Sequence, residues 1–323
     1  MLNILLVIAL NIFIYPILSI NDEMKIANRF FNKPISNNLV DKKLKDKNLA
    51  QPLSIYYPLT NKETKRKFPL VIFVHGWGAD KSTVSAMARY TAEVGFVTVA
   101  VSIKKRWKPE NWLPALDSIF SLLEKYAINP TSPIYEKIDF SKIALVGHSM
   151  GGTGVLHYAN KNKKITTVIA LHPYNGGQGI VSLIGGENNV LGDKLSEQKS
   201  FCLILTGTDD MIALPEKTYK FFENLSFEKS KEKPLLPRGM FLIFEGSKHN
   251  YPVETLGNNT AGKYNEEAFV AYLLVVRKYL LATLKDDAKS ALLFNTQTEE
   301  FKTLEALLMG IKEKNIPPFA EKW

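Results

Sequence analysis

The 323-residue chain is 46% hydrophobic and 23% charged, which supplies one large core and excludes a disordered composition. Its formal net charge is +9, but the lysines are scattered through loops and tails, as at Lys42, Lys43, Lys45 and Lys47 or Lys229, Lys231 and Lys233. That scatter argues against nucleic acid as a partner, which needs basic residues gathered on one face, and leaves open a weak attraction to anionic or membrane surfaces.

Residues Leu2–Ile20 hold no charge and are broken by Pro16, with the small Ser19 near the end. The pattern predicts a signal peptide over residues 1–19 and an exported protein, periplasmic or secreted. An uncleaved membrane anchor is the alternative: no Lys or Arg precedes the run, and its length approaches a bilayer span. Residues 20–50, rich in Asn and Lys, read as an extension with a short helix near Met24–Phe31.

Strands and helices then alternate. Leu53–Tyr57 reads as an edge strand closed by Pro58. Pro69–Val74, Phe96–Val101, Lys142–Val146, Thr167–Leu171, Phe201–Leu205 and Met240–Phe244 are continuous apolar runs, the mark of strands buried on both faces. Helices are expected over 82–94, 113–126, 153–160, 215–224 and 266–284. The alternation predicts an α/β protein with a mostly parallel central sheet, helices on both faces, and ligands bound beyond the carboxyl ends of the strands. The single cysteine, Cys202, lies inside a strand run, so it reads as a buried structural thiol. Phe301, Leu304, Leu308 and Ile311 fall at helical spacing before Pro317, which predicts a C-terminal helical extension over 285–323 after a catalytic domain over 51–284.

Gly147-His-Ser-Met-Gly151 fits G-x-S-x-G, with a buried strand directly before it and a helix directly after. A nucleophilic serine needs that setting: a sharp strand-to-helix turn that exposes the hydroxyl at a helix N-terminus. Ser149 is therefore the candidate nucleophile, and it needs a base. The chain order of such sites is serine, acid, histidine. His249, after the last buried strand, fits as the base. His172 comes too early for that role and reads, with His148 and Tyr174, as a cleft-lining residue. The acid should follow Phe201–Leu205, where Asp209 and Asp210 compete. Met150 N–H, after the nucleophile, and Trp77 N–H, in the loop His75-Gly-Trp-Gly78, are the candidate oxyanion donors. No cluster has metal-ligand spacing such as H-E-x-x-H, so neither a metal nor an organic cofactor is expected.

With these residues placed, the chain resembles the α/β-hydrolase superfamily over roughly residues 51–284. It is most similar to a dienelactone-hydrolase-like branch that includes chlorophyllase-type enzymes and bacterial cutinase-like polyester hydrolases. The matching pieces are Phe68–Trp77, Gly147–Gly152, Asp210–Ala213 and Gly246–His249. In that branch the acid stands directly before a stretch like Met211-Ile-Ala, which implies Asp210. The lone cysteine departs from the C-terminal disulfide common in bacterial cutinases. The resemblance implies hydrolysis of a small or polymeric carboxylic ester through an acyl-enzyme. Acyl transfer, thioester or peptide cleavage is the nearest alternative, and a silent binding protein the more distant one. The loops 174–200 and 250–265 are expected to set specificity.

Overall fold

Six of the apolar runs form six parallel strands at the centre of one sheet. The computed structural model describes residues 53–58, 66–104, 111–176, 194–227, 236–254, 265–305 and 319–322, all within one contact-defined unit, Asn38–Trp323. The expected signal peptide and extension, and the loop segments 177–193 and 255–264, lie outside these residues. Among them no helix is long and apolar enough to cross a membrane.

The main sheet contains β1 (Ser54–Tyr56), β2 (Phe68–Val74), β3 (Val97–Val101), β4 (Ile138–His148), β5 (Thr167–Leu171), β7 (Phe201–Gly207), β9 (Gly239–Phe244) and β10 (Phe319–Lys322). Their spatial order is β1-β3-β2-β4-β5-β7-β9-β10. The six inner strands pair in parallel, and β1 and β10 close the two edges antiparallel. A small second sheet pairs β6 (Leu195–Gln198) with β8 (Leu225–Phe227). Every residue of β2, β3, β5, β7 and β9 is buried, which accounts for their continuous apolar sequences.

Helices cover both faces. On one, α2 (Trp112–Ala127), α3 (Met150–Lys161) and α4 (Pro215–Glu223) share a core cluster with alternate strand residues, among them Ile72, Leu145, Ala170 and Ile204. On the other, α1 (Ser82–Glu93) meets α5 (Glu266–Leu284), and α5 lies across β4 and β5. The N-terminus of α5 is capped by the Asn265 side chain, which accepts the Ala268 N–H, and carries Glu266 and Glu267 in its first turn. Helices α6 (Ala288–Leu292) and α7 (Glu299–Glu305) follow, with Phe294 against Tyr279 of α5 and Phe301 and Leu304 buried.

The sequence pattern reads 285–323 as a C-terminal helical extension, of which residues 306–318, with Leu308 and Ile311, lie outside the described residues. The structure differs at its end: Phe319–Lys322 is the eighth strand, paired with Gly239–Leu242 of β9. A four-residue strand directly after Pro317-Pro318 leaves too short a pattern to be read.

The strand order also fixes where a site can form. From β2 the chain moves outward to β3, then crosses back over β2 to β4, and continues the other way through β5, β7 and β9. The loops after β2 and β4 therefore leave in opposite directions and open a crevice between them. Gly76 and Ser149 stand at that crevice.

Candidate active site

The turn from β4 to α3 holds Ser149 at φ 55° and ψ −124°, a left-handed conformation that costs an L-residue of order 1–3 kcal/mol. The surroundings impose it. Ser149 N–H donates to the Leu171 carbonyl at 2.9 Å, and the Ser149 carbonyl accepts from Thr153 N–H and Tyr174 N–H, both at 3.1 Å. The turn is tight enough that a Cβ on Gly147 would lie 2.3 Å from the Gly151 carbonyl oxygen. Crowding of that kind, rather than flexibility, dictates the two glycines of the motif.

The loop after β2 leans on the same turn. A Cβ on Gly76 would stand 3.1 Å from Ser149 Cβ. His75 fastens the loop below: its ring Nδ1–H donates to the Gly76 carbonyl at 2.7 Å, and its Nε2 accepts Ile103 N–H at 3.0 Å. Met150 is the first residue of α3, so its amide is one of those a helix leaves without an intrahelical partner. Trp77 is half-buried, with its side chain packed on the core cluster. The two expected oxyanion donors thus belong to segments that abut at Ser149.

Ser149 Oγ lies 2.9 Å from His249 Nε2, and His249 Nδ1 lies 2.8 Å from Asp210 Oδ2. The Ser149 hydroxyl donates to Nε2, and Nδ1–H donates to the carboxylate. Asp210 leaves the end of β7 fully buried, with Oδ1 accepting the N–H groups of Ile212 and Ala213, each at 2.8 Å. Burial alone would raise its carboxyl, but the histidines outweigh burial and hold it below the usual carboxylate range. Asp209 is exposed, and its Oδ1 accepts only the neighbouring Thr208 hydroxyl at 3.2 Å. The chain therefore brings Ser149, His249 and Asp210 into one hydrogen-bonded line and leaves Asp209 outside it.

A family model of PET hydrolase-like proteins (PETase) matches residues 52–265. The chain belongs to the PET hydrolase-like family. It is 26% identical over 123 residues to cutinase est1 of Thermobifida alba, 38% of this chain and 39% of that one. It is 27% identical over 124 residues to cutinase cut1 of Thermobifida fusca, 38% and 36% of the two chains. It is 31% identical over 146 residues to probable carboxylesterase 7 of Arabidopsis thaliana, 40% and 46%. Each match spans less than half of the relative's own length. The architecture is the α/β-hydrolase fold.

In this PET hydrolase-like chain the three residues expected to line the cleft are all buried. His148 donates Nε2–H to the His249 carbonyl at 2.8 Å and so pins the His249 loop. Burial, then the neighbouring His249, hold its ring well below the usual histidine range, so it stays neutral. Tyr174 contributes its backbone, with N–H on the Ser149 carbonyl and its own carbonyl on the Thr153 hydroxyl at 2.6 Å.

His172 requires a correction. It is 0% exposed and sits behind Asp210, not in the cleft. Its Nδ1 lies 2.6 Å from Asp210 Oδ2, the oxygen that His249 uses, and its Nε2 lies 2.6 Å from Tyr272 Oη. Sequence reasoning missed this pairing because it joins the ends of β5 and β7 to the middle of α5. The available signal was a histidine closing a buried strand next to the elbow strand. The ligand atoms of His172, Asp210 and His249 lie within 4.8 Å of one another, and here they are spent on each other.

Proposed function

We propose that this chain hydrolyses carboxylic esters, with Ser149 as nucleophile, His249 as general base and Asp210 as the residue that orients the base. The observation that carries the reading is the line Ser149 Oγ–His249–Asp210, at 2.9 and 2.8 Å, on a strained strand-to-helix turn. Ser149 Oγ attacks the acyl carbonyl as His249 Nε2 takes its proton. The tetrahedral oxyanion is met by Met150 N–H and Trp77 N–H at the N-terminus of α3. The protonated His249 returns the proton to the leaving alcohol, which departs with the bonding pair. Water, deprotonated by the same imidazole, then releases the acid and restores Ser149. Asp210 stays ionised throughout and stabilises the imidazolium.

Relatives named as cutinases and a carboxylesterase support an ester as substrate, and the PET hydrolase-like family supports a polymeric one. The sequence of residues 2–20 supports export.

The test is labelling with a fluorophosphonate, together with rates on p-nitrophenyl esters of increasing acyl length. One adduct per chain, absent from Ser149→Ala, and measurable release of nitrophenol are expected. A wild-type protein that takes no label and hydrolyses none of the esters overturns the reading.

A further inference from the structure

Asp210 holds two imidazoles on one oxygen, and the proposed reaction uses only one of them. The other begins a hydrogen-bonded loop that leads back to the base. From Asp210 Oδ2 it passes to His172 Nδ1 at 2.6 Å, then from His172 Nε2 to Tyr272 Oη at 2.6 Å, and from Tyr272 Oη to Ser247 Oγ at 2.9 Å. Ser247 lies two residues before His249, whose Nδ1 returns to Asp210 Oδ2. His172, Tyr272, Ser247 and Asp210 are all buried. The Thr206 carbonyl, 3.3 Å from Tyr272 Oη, completes the enclosure.

We propose that His172 is a positioning residue for the base: by donating Nδ1–H to the oxygen that His249 also uses, it weakens the pull of Asp210 on His249 and keeps His249 a proton acceptor to lower pH. This rests on the reading of His249 as general base.

The physical basis is competition for one oxygen. A carboxylate raises an imidazole's proton affinity because it stabilises the imidazolium, and every further N–H on the same oxygen reduces what it can give. The second donor must be neutral and must keep its proton on Nδ1. Burial lowers the proton affinity of His172, against the opposing pull of Asp210, so the ring carries one proton. Tyr272 then fixes the tautomer: a phenol held by burial far above its usual range keeps its O–H and donates it to Nε2. Ser247 donates in turn to the phenol oxygen. Oδ1 is held by Ile212 and Ala213, so the carboxylate cannot rotate to offer His249 a fresh oxygen.

The ionisable groups that face His249 are Asp210 from the end of β7, His148 from the end of β4 with its ring 4.8 Å away, and His172 from the end of β5 at 5.9 Å. Tyr272 of α5 faces His172 at 5.4 Å. His148 donates to the His249 carbonyl, and its ring lies 6.4 Å from that of His172.

The experiment reads the titration of the His249 ring by NMR, which needs no turnover, alongside the pH profile of kcat/KM. His172→Leu should raise the His249 pKa by about one unit, tenfold in proton affinity, and move the acid limb of the profile up equally. Asn presents an N–H near the place of Nδ1, so His172→Asn should restore the wild-type value. Gln reaches only toward Tyr272, so His172→Gln should behave like the Leu variant. Wild type should show two far-downfield ring N–H signals, one lost in His172→Leu and the other in His249→Ala. An unchanged His249 pKa in the Leu variant overturns the proposal, as do Asn and Gln variants that titrate alike. Should Leu at 172 prevent folding, the Asn–Gln comparison decides alone. Labelling of Ser149 without these shifts removes this inference and leaves ester hydrolysis standing; the shifts without labelling or turnover overturn the hydrolase reading and, with it, the role of His172 toward a base.

Discussion

The two sides of Asp210 present the same chemical group in different company. In front, His249 turns its far nitrogen to Ser149 Oγ at 2.9 Å, at the mouth of the crevice between β2 and β4. Behind, His172 turns its far nitrogen to Tyr272 Oη at 2.6 Å, sealed under α5. In front, the imidazole meets a strained serine on a tight strand-to-helix turn. Behind, each polar group has a partner that holds it in one state. What distinguishes the two imidazoles is the partner of the second nitrogen, since the first nitrogen meets the same oxygen in both cases.

If that division holds, changes in front should cost rate and changes behind should cost stability. The largest effect is expected for Ser149→Ala and His249→Ala, each lowering kcat by about six orders of magnitude, as loss of a serine–histidine pair does elsewhere. Thermal melting should stay near wild type. A melting temperature lowered as far as that of a core variant would erase the distinction. Next comes the shared residue. Asp210→Asn should lower kcat about ten-thousandfold and destabilise as well, because an amide has one oxygen and cannot accept from both the two imidazoles and the N–H groups of Ile212 and Ala213. Asp209→Asn, on the exposed turn, should change kcat far less; a larger loss at Asp209 would reverse the assignment.

Behind the acid, Tyr272→Phe should strand His172 Nε2 in a buried site and cost about 1–3 kcal/mol. That corresponds to about 2–4 °C of melting temperature per kcal/mol for a domain near this size, with a much smaller loss of kcat than either front variant. A variant that melts like wild type would mean that the buried loop of hydrogen bonds does not hold the fold. The smallest effect is one of shape. Because the histidines hold Asp210 below the usual carboxylate range, only one group should titrate on the acid limb of kcat/KM. Activity should fall tenfold per pH unit there. A hundredfold fall would mean that Asp210 takes a proton with His249.

The front was legible in the sequence and the back was not, for a physical reason. The strands around the site are buried on both faces, so β2, β4, β5, β7 and β9 announce themselves as apolar runs. The elbow glycines are demanded within five residues of chain, and the loops bearing Asp210 and His249 follow directly on β7 and β9. The rear network depends on four segments converging: the ends of β5, β7 and β9 and the middle of α5. A tyrosine in the apolar helix α5 looks like any core aromatic until the end of β5 is brought beneath it. Chain order sets His172 aside as the base, but order says nothing about a second donor to the same acid. The edge strand β10 was missed for a different cause: its place is fixed by pairing with β9, not by its own pattern.

That edge strand has a consequence for how the molecule comes together. Until Phe319–Lys322 arrives, the outer side of β9 presents an open row of amides and carbonyls, on the strand that leads into the His249 loop. A bare, apolar edge of this sort is a template for pairing with another chain. Its cover comes from residues far later in the sequence. Nascent or truncated chains lacking those four residues would carry a sticky flank beside an otherwise complete reaction centre. Whatever assists their maturation would have to shield β9 rather than the crevice.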